Sequence, residues 1–78
     1  MQPREGEKIR VLELDENCVW YKHRKYIEGN VFVLTHLKTF SAVETHINDS
    51  IFKAMTGHKN EIKHSCQLYF YKYKYEFV

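Results

Sequence analysis

Glycine, proline and long apolar runs are all scarce in this chain of 78 residues, which contains three glycines and one proline. Disordered segments are rich in polar residues and proline, whereas 44% of this sequence is hydrophobic, so a folded globule is predicted. The longest apolar run, residues 31–34, is far shorter than the ~20 residues that a membrane-spanning helix requires. We therefore expect a soluble protein with no membrane partner.

The shortness of the chain excludes several classes of protein. Residues 1–78 are predicted to form a single domain, with residues 1–7 as a polar lead-in, because two domains of this total length would each lack a core. No internal repeat, nucleophile elbow, phosphate loop or acidic metal box is visible in the sequence. We therefore expect a protein that is not an enzyme and needs no cofactor.

The number of cysteines and the net charge are also low. Cys18 and Cys66 are far apart in the sequence and no secretory leader precedes them, which predicts reduced thiols and a cytoplasmic location. Twelve basic and ten acidic residues give a net charge of +2, too little to indicate nucleic-acid binding by itself. The kind of partner must therefore be inferred from where the charges lie along the sequence.

Two segments in the first half have the alternation of β-strands. Residues 8–14 form the first predicted strand, and residues 30–37, rich in β-branched and aromatic side chains, form the second. Turn-forming residues begin and end the polar stretch between them, so a loop is predicted over residues 15–29.

The segment after the second strand allows two interpretations. Ser41 and Glu44 have the spacing of a capping box, and four apolar residues recur at helical spacing. These four are Val43, Ile47, Ile51 and Met55. This pattern predicts one helix over residues 42–56, packed on an antiparallel sheet.

Turn-forming residues in the middle of that segment favour the second interpretation. They are Asn48, Asp49 and Ser50. Their presence predicts a short helix or turn over residues 41–47, then a strand over residues 50–56 and a longer strand over residues 61–71. We adopt this interpretation as the main prediction.

Tyrosine occupies every second position from Tyr69 to Tyr75, and Phe77 follows. In an unbroken strand these rings would share one face, either as a wall of the core or as an exposed platform for stacking. We favour the core, because a small domain needs bulky side chains to fill it.

Four short segments carry a resemblance to a known family. They are KIRVL at residues 8–12, VWY at 19–21, IEGNVFV at 27–33 and YEFV at 75–78. In this combination the chain resembles the small Src-homology-3-like barrel proteins of bacteriophages and the KOW-type modules, over about residues 8–37 and 67–78. The resemblance implies a mostly β, five-stranded barrel, leaves room for the inserted helix at 41–47, and implies a helical turn at 71–74.

The strongest candidate for a binding site is the stretch over residues 20–26, where basic and aromatic side chains are interleaved. Its members are Trp20, Tyr21, Lys22, His23, Arg24, Lys25 and Tyr26. Cations neutralise phosphates and rings stack on bases, so the stretch predicts binding to nucleic acid or a nucleoprotein complex with little base specificity. Lys72 and Lys74 would extend this surface. In the competing interpretation, the rings pin the loop to the fold while the cations only face water.

Two further hypotheses concern other partners. Exposed rings also suit a protein interface, and the resemblance to phage proteins implies a small viral accessory protein that binds and inhibits a protein in the host cytoplasm. Four residues offer zinc-ligand chemistry, namely Cys18, His23, His64 and Cys66. Their spacing lacks the paired form of zinc sites, so we expect no metal there.

Overall fold

The computed structural model describes residues 4–39, 42–69 and 74–78. Five strands and two short helices follow one another in the chain: β1 (Lys8–Val11), α1 (Arg24–Ile27), β2 (Val31–Thr39), β3 (Ala42–His46), α2 (Asp49–Thr56), β4 (Ser65–Tyr69) and β5 (Tyr75–Phe77). A 3-10 turn, Tyr21–His23, leads directly into α1. The prediction of a mostly β, five-stranded protein is confirmed. No helix in the described ranges is long and apolar enough to cross a membrane.

The strands form one antiparallel sheet in the order β4-β3-β2-β1-β5. Strand β2 joins the two halves of this sheet: its first three residues pair with β1, and the remainder pairs with β3 through two shifts of register. Strand β5 returns to the free side of β1, where Val11 lies opposite Tyr75. Along the described residues no ladder joins β4 to β5, so the sheet is open between its two edges.

The core lies on one face of the sheet and is closed by α2 and the β1–β2 connection. Its fully buried members include Ile9, Val11, Leu34, Val43 and Leu68 from the strands, together with Leu14 and Ile27 from the connection. Phe52 is the buried residue of α2, and Ile51 and Met55 pack against the same cluster. The apolar periodicity of residues 51–55 therefore marks a helix that covers the sheet.

The prediction for the middle of the chain is wrong in both of its elements. Residues 41–47 were expected to form a helix or turn, but Ala42–His46 is strand β3; residues 50–56 were expected to form a strand, but Asp49–Thr56 is helix α2. The alternative helix over 42–56 is correct only in its second half. The reason is Asn48, whose side-chain oxygen accepts a hydrogen bond of 2.9 Å from the Ile51 N–H and so begins a helix instead of turning between strands.

The other strand predictions hold with changed boundaries, and β2 covers Val31–Thr39 instead of residues 30–37. Strand β1 ends at Val11 rather than residue 14, and β4 begins at Ser65 rather than residue 61. The tyrosine row is divided, since β4 ends at Tyr69 and β5 begins at Tyr75 on the opposite edge of the sheet. Tyr75 is buried, as expected of a core ring. The predicted turn at 71–74 lies largely outside the described residues.

Candidate functional site

The connection between β1 and β2 is an ordered structure rather than a plain polar loop. Its first turn closes with a hydrogen bond of 2.9 Å from the Cys18 N–H to the Asp15 carbonyl, and the 3-10 turn and α1 follow. Ile27 is buried and holds the end of α1 on the core. The Gly29 N–H then donates to the Val11 carbonyl at 2.7 Å, which returns the chain to the sheet. Residues 20–26, called the basic segment from here on, are thereby held as two successive helical turns.

Trp20 attaches the basic segment to the rest of the fold. Its indole N–H donates a hydrogen bond of 3.3 Å to the backbone carbonyl of Ser65 in β4. The indole ring also meets Phe52 and His64 edge-on, with centroids 5.7 and 5.6 Å away. Trp20 is half-buried, so for this residue the structure agrees with the competing interpretation in which a ring pins the loop.

The three cations of the basic segment face solvent. Lys22, Arg24 and Lys25 are all exposed. The Arg24 guanidinium lies 4.4 Å from the centroid of the Tyr21 ring, and it donates to the Tyr21 carbonyl at 3.2 Å. The Lys25 ammonium lies 5.1 Å from the centroid of the Tyr26 ring. Within the part of the chain that the structure describes, none of the three forms an ion pair with a carboxylate, so their charges are not neutralised locally.

Two acidic residues near the basic segment in sequence are engaged elsewhere. The Glu28 carboxylate accepts a hydrogen bond of 2.9 Å from the Leu14 N–H. The Asp15 carboxylate accepts from the Asn17 N–H at 2.8 Å and lies 3.8 Å from the Lys74 ammonium. Both carboxylates thus serve to close the connection rather than to pair with the cations of the basic segment.

The remaining members of the predicted site are placed differently. Lys74 is only 7% exposed and pairs with Asp15, so it does not extend the basic surface. Lys72 lies outside the described residues. His23 is half-buried, with its ring centroid 6.3 Å from Trp20 and 6.5 Å from Tyr26. The structure therefore concentrates the available charge on Lys22, Arg24 and Lys25.

The four residues of the zinc hypothesis are brought together only in part. The Sγ atoms of Cys18 and Cys66 lie 3.2 Å apart. His23 and His64 instead flank the Trp20 ring. Among residues 4–39, 42–69 and 74–78, no three His, Cys, Asp or Glu side chains are grouped so that they could hold a metal ion.

The meeting of the two thiols is a feature that the sequence analysis missed. Cys18 is half-buried and lines a cavity of about 260 Å³. A hydrogen bond from the Cys66 thiol lowers the pKa of Cys18 from 9.0 to about 7, against the opposing effect of burial. The same hydrogen bond, followed by burial, raises the pKa of Cys66. Nothing in the spacing of two cysteines 48 residues apart signals this contact, because it depends on where the connection meets β4.

The site thus consists of three exposed cations on an anchored, ring-bearing segment, with a thiol pair at the base of the same connection. Exposed cations can interact with phosphate groups, and exposed aromatic rings can stack on bases. Cys18 is only two residues before Trp20, so the two features share one structural support.

Comparison with protein-family models, with curated proteins and with solved structures finds no match to this chain.

Proposed function

We propose that this chain is a non-catalytic binding module that contacts nucleic acid or a nucleoprotein complex through its basic segment. The observation that carries the proposal is the exposure of Lys22, Arg24 and Lys25 without a carboxylate partner in the described residues. Three such cations within four residues match the closely spaced negative charges of a phosphate backbone. This local concentration matters more than the net charge of +2.

The rings of the basic segment support this binding in two ways. Tyr21 and Tyr26 lie beneath Arg24 and Lys25 and restrict where the two charges can move, without neutralising them. Tyr21 also packs against the core, so Tyr26, which is half-buried and in contact with solvent, is the ring that we propose stacks on a base. Phosphate contacts and stacking are indifferent to base identity, which is why we propose little base specificity.

We propose that this open five-stranded sheet is a variant of the small Src-homology-3-like barrel, one in which β4 and β5 do not pair along the described residues. Two features support this proposal. Strand β5 pairs with β1, and the register shifts in β2 divide the sheet into two halves, both of which contain β2. In this arrangement the β1–β2 connection projects from a fixed sheet, and such connections are where binding residues concentrate in many domains.

Salt dependence tests the proposal directly. Fluorescence anisotropy with labelled single-stranded DNA, single-stranded RNA and duplex DNA gives Kd across a series of salt concentrations. Three phosphate contacts predict a slope of log affinity against log salt of about −2 to −3. Lys22→Ala, Arg24→Ala and Lys25→Ala are each expected to flatten the slope by about 1, equally for all sequences.

Lys8→Ala is the matched control, because Lys8 is exposed on β1 and outside the basic segment. We expect it to leave the slope unchanged. Affinity that is indifferent to salt, or an equal effect of Lys8→Ala and Arg24→Ala, would contradict the proposal.

A protein partner is the second candidate, and one observation favours it. Val19 is 79% exposed directly before Trp20, which places an apolar side chain beside the rings of the basic segment. Aromatic side chains and arginine anchor protein interfaces, and an exposed apolar neighbour enlarges the apolar area that a partner can cover. Pull-down from a bacterial lysate with and without nuclease distinguishes the two candidates: a partner retained after nuclease treatment and lost in Val19→Ser supports a host protein.

A further inference from the structure

The two cysteines form a site with one outer and one inner thiol. Cys18 lines the cavity beside the β1–β2 connection, together with Asp15, Val19 and Glu44. Cys66 is only 1% exposed and lies behind it, with the two Sγ atoms 3.2 Å apart. A small molecule that enters the cavity therefore meets Cys18 first, and Cys66 is within reach of whatever Cys18 has bound.

We propose that Cys18 and Cys66 form a thiol–disulfide exchange site that reacts with low-molecular-weight disulfides and closes an intramolecular disulfide between the β1–β2 connection and β4. This inference is independent of nucleic-acid binding. A disulfide bond is about 2.05 Å long, so closing it requires the sulfur atoms to approach by little more than about 1 Å.

The first step uses Cys18 as the nucleophile. Its thiolate attacks one sulfur of the small disulfide, the S–S bond of the reagent breaks, and the other half leaves as a thiolate that takes up a proton from water. Cys18 then carries a mixed disulfide with the half that it captured. Exposure at the cavity and the hydrogen bond from Cys66 both favour Cys18 for this role.

In the second step Cys66 resolves the mixed disulfide. The Cys66 sulfur gives up its proton and attacks Cys18 Sγ, the bond to the captured half breaks, and that half leaves as a thiol after taking up a proton. In total, two protein thiols are oxidised to one disulfide and the small disulfide is reduced to two thiols.

The hydrogen bond to Cys18, which suppresses ionisation of Cys66, is lost when Cys18 forms the mixed disulfide. The pKa of Cys66 is raised first by the hydrogen bond to Cys18 and then by burial, with a smaller effect from the Cys18 charge. Once Cys18 is in a mixed disulfide, it carries no charge and no longer takes the Cys66 proton as a thiolate would. The first step therefore removes the two effects that depend on Cys18, while burial and the charge of Glu44 remain, so Cys66 becomes easier to ionise only after the first step.

The charges around the cavity decide which probe is used. Asp15 and Glu44 line it, and Asp15 is itself 3.8 Å from Lys74. An uncharged reagent, bis(2-hydroxyethyl) disulfide, avoids repulsion by the carboxylates and any attraction to the nearby basic segment. The full chain is incubated with this reagent, quenched with N-ethylmaleimide at successive times, and weighed by intact mass spectrometry.

The wild-type chain is expected to lose two hydrogen atoms and to retain no part of the reagent at the end of the reaction. Cys66→Ser is expected to stop at the mixed disulfide on Cys18, with half of the reagent attached. Cys18→Ser is expected to react at least ~10-fold more slowly, because its remaining thiol is buried. A wild-type product that keeps the reagent on either cysteine, or forms only disulfide-linked dimers, would overturn the proposal.

A second measurement needs no variant and so does not depend on whether a substituted chain folds. Brief treatment of the native wild-type chain with iodoacetamide, followed by peptide mapping, gives the labelling rate of each cysteine. Cys18 is expected to be labelled at least ~10-fold faster than Cys66, and the difference should vanish in denaturant. Equal rates in the native chain would overturn the assignment of outer and inner thiols.

Discussion

The side-chain amide of Asn60 donates a hydrogen bond of 2.7 Å to the backbone carbonyl of Ile47. The amide oxygen of Asn60 accepts a second bond, of 2.9 Å, from the His64 N–H. Asn60 is 4% exposed, so this one buried side chain connects the end of β3 to the start of β4. The two hydrogen bonds of Asn60 thus join the two ends of the segment that contains α2.

Replacing Asn60 by alanine should therefore be costly. Asn60→Ala leaves the Ile47 carbonyl and the His64 N–H without these partners, and we expect the free energy of unfolding to fall by about 2–3 kcal/mol. Urea denaturation followed by the fluorescence of the single tryptophan gives this value. Asn17→Ala, at an exposed position, is the control and should change stability by less than about 0.5 kcal/mol. Similar losses in both variants would contradict the role given to Asn60.

The ion pair between Asp15 and Lys74 should contribute more to stability than a surface pair. Asp15→Asn keeps the shape of the side chain but removes the charge beside the largely buried Lys74, and we expect a loss of about 1–2 kcal/mol. The matched control is Glu76→Gln, which removes the charge from the 2.8 Å pair between partly exposed Arg10 and exposed Glu76 and should cost less than about 0.5 kcal/mol. Chemical denaturation of both variants measures the difference. A larger loss in Glu76→Gln than in Asp15→Asn would refute this ranking.

The reactivity of Cys18 should depend on pH through its neighbour. Because its pKa is lowered to about 7, the thiolate fraction and hence the alkylation rate should rise with pH around a midpoint of about 7. Cys66→Ala removes the hydrogen bond that lowers this pKa, so the midpoint should move up towards 9.0. Cys66→Ser keeps a donor and should give a lower midpoint than Cys66→Ala. An unchanged midpoint in Cys66→Ala would show that Cys66 does not stabilise the thiolate.

Helix α2 should depend on its N-cap. Asn48→Ala removes the acceptor for the Ile51 N–H and is expected to lower stability by about 1 kcal/mol. Asn48→Asp preserves an acceptor and should be nearly neutral or slightly stabilising, since a negative charge is favourable at a helix N-terminus. Thermal unfolding monitored by circular dichroism provides the comparison. Equal destabilisation by the two substitutions would exclude capping as the reason that Asn48 begins the helix.

The limits of the sequence analysis follow from the range of the interactions involved. Strands β1 and β2 were predictable because their alternation is local, and the basic segment was visible as a run of residue types. Asn48 is compatible with a turn and with a helix cap. In the structure it caps α2, and Phe52 of that helix packs on the core; neither contact can be recognised from the residue types alone.

Two features of the site depend on contacts that are distant in sequence. Lysine is almost always exposed, so the burial of Lys74 beside Asp15 follows only from the placement of β5 next to β1. The contact between Cys18 and Cys66 likewise requires the β1–β2 connection to lie against β4. Residue types and local spacing carry neither piece of information.

The adjacency of β1 and β5 also constrains the order in which the molecule forms. Arg10 and Glu76 are 66 residues apart, yet they lie opposite each other in the sheet. Pairing across such a separation closes a long loop and is slow compared with local turns and helices. During synthesis on the ribosome, the edge of β1 that pairs with β5 stays unpaired until residues 75–77 have emerged. In that interval this strand edge can pair with strands of other molecules.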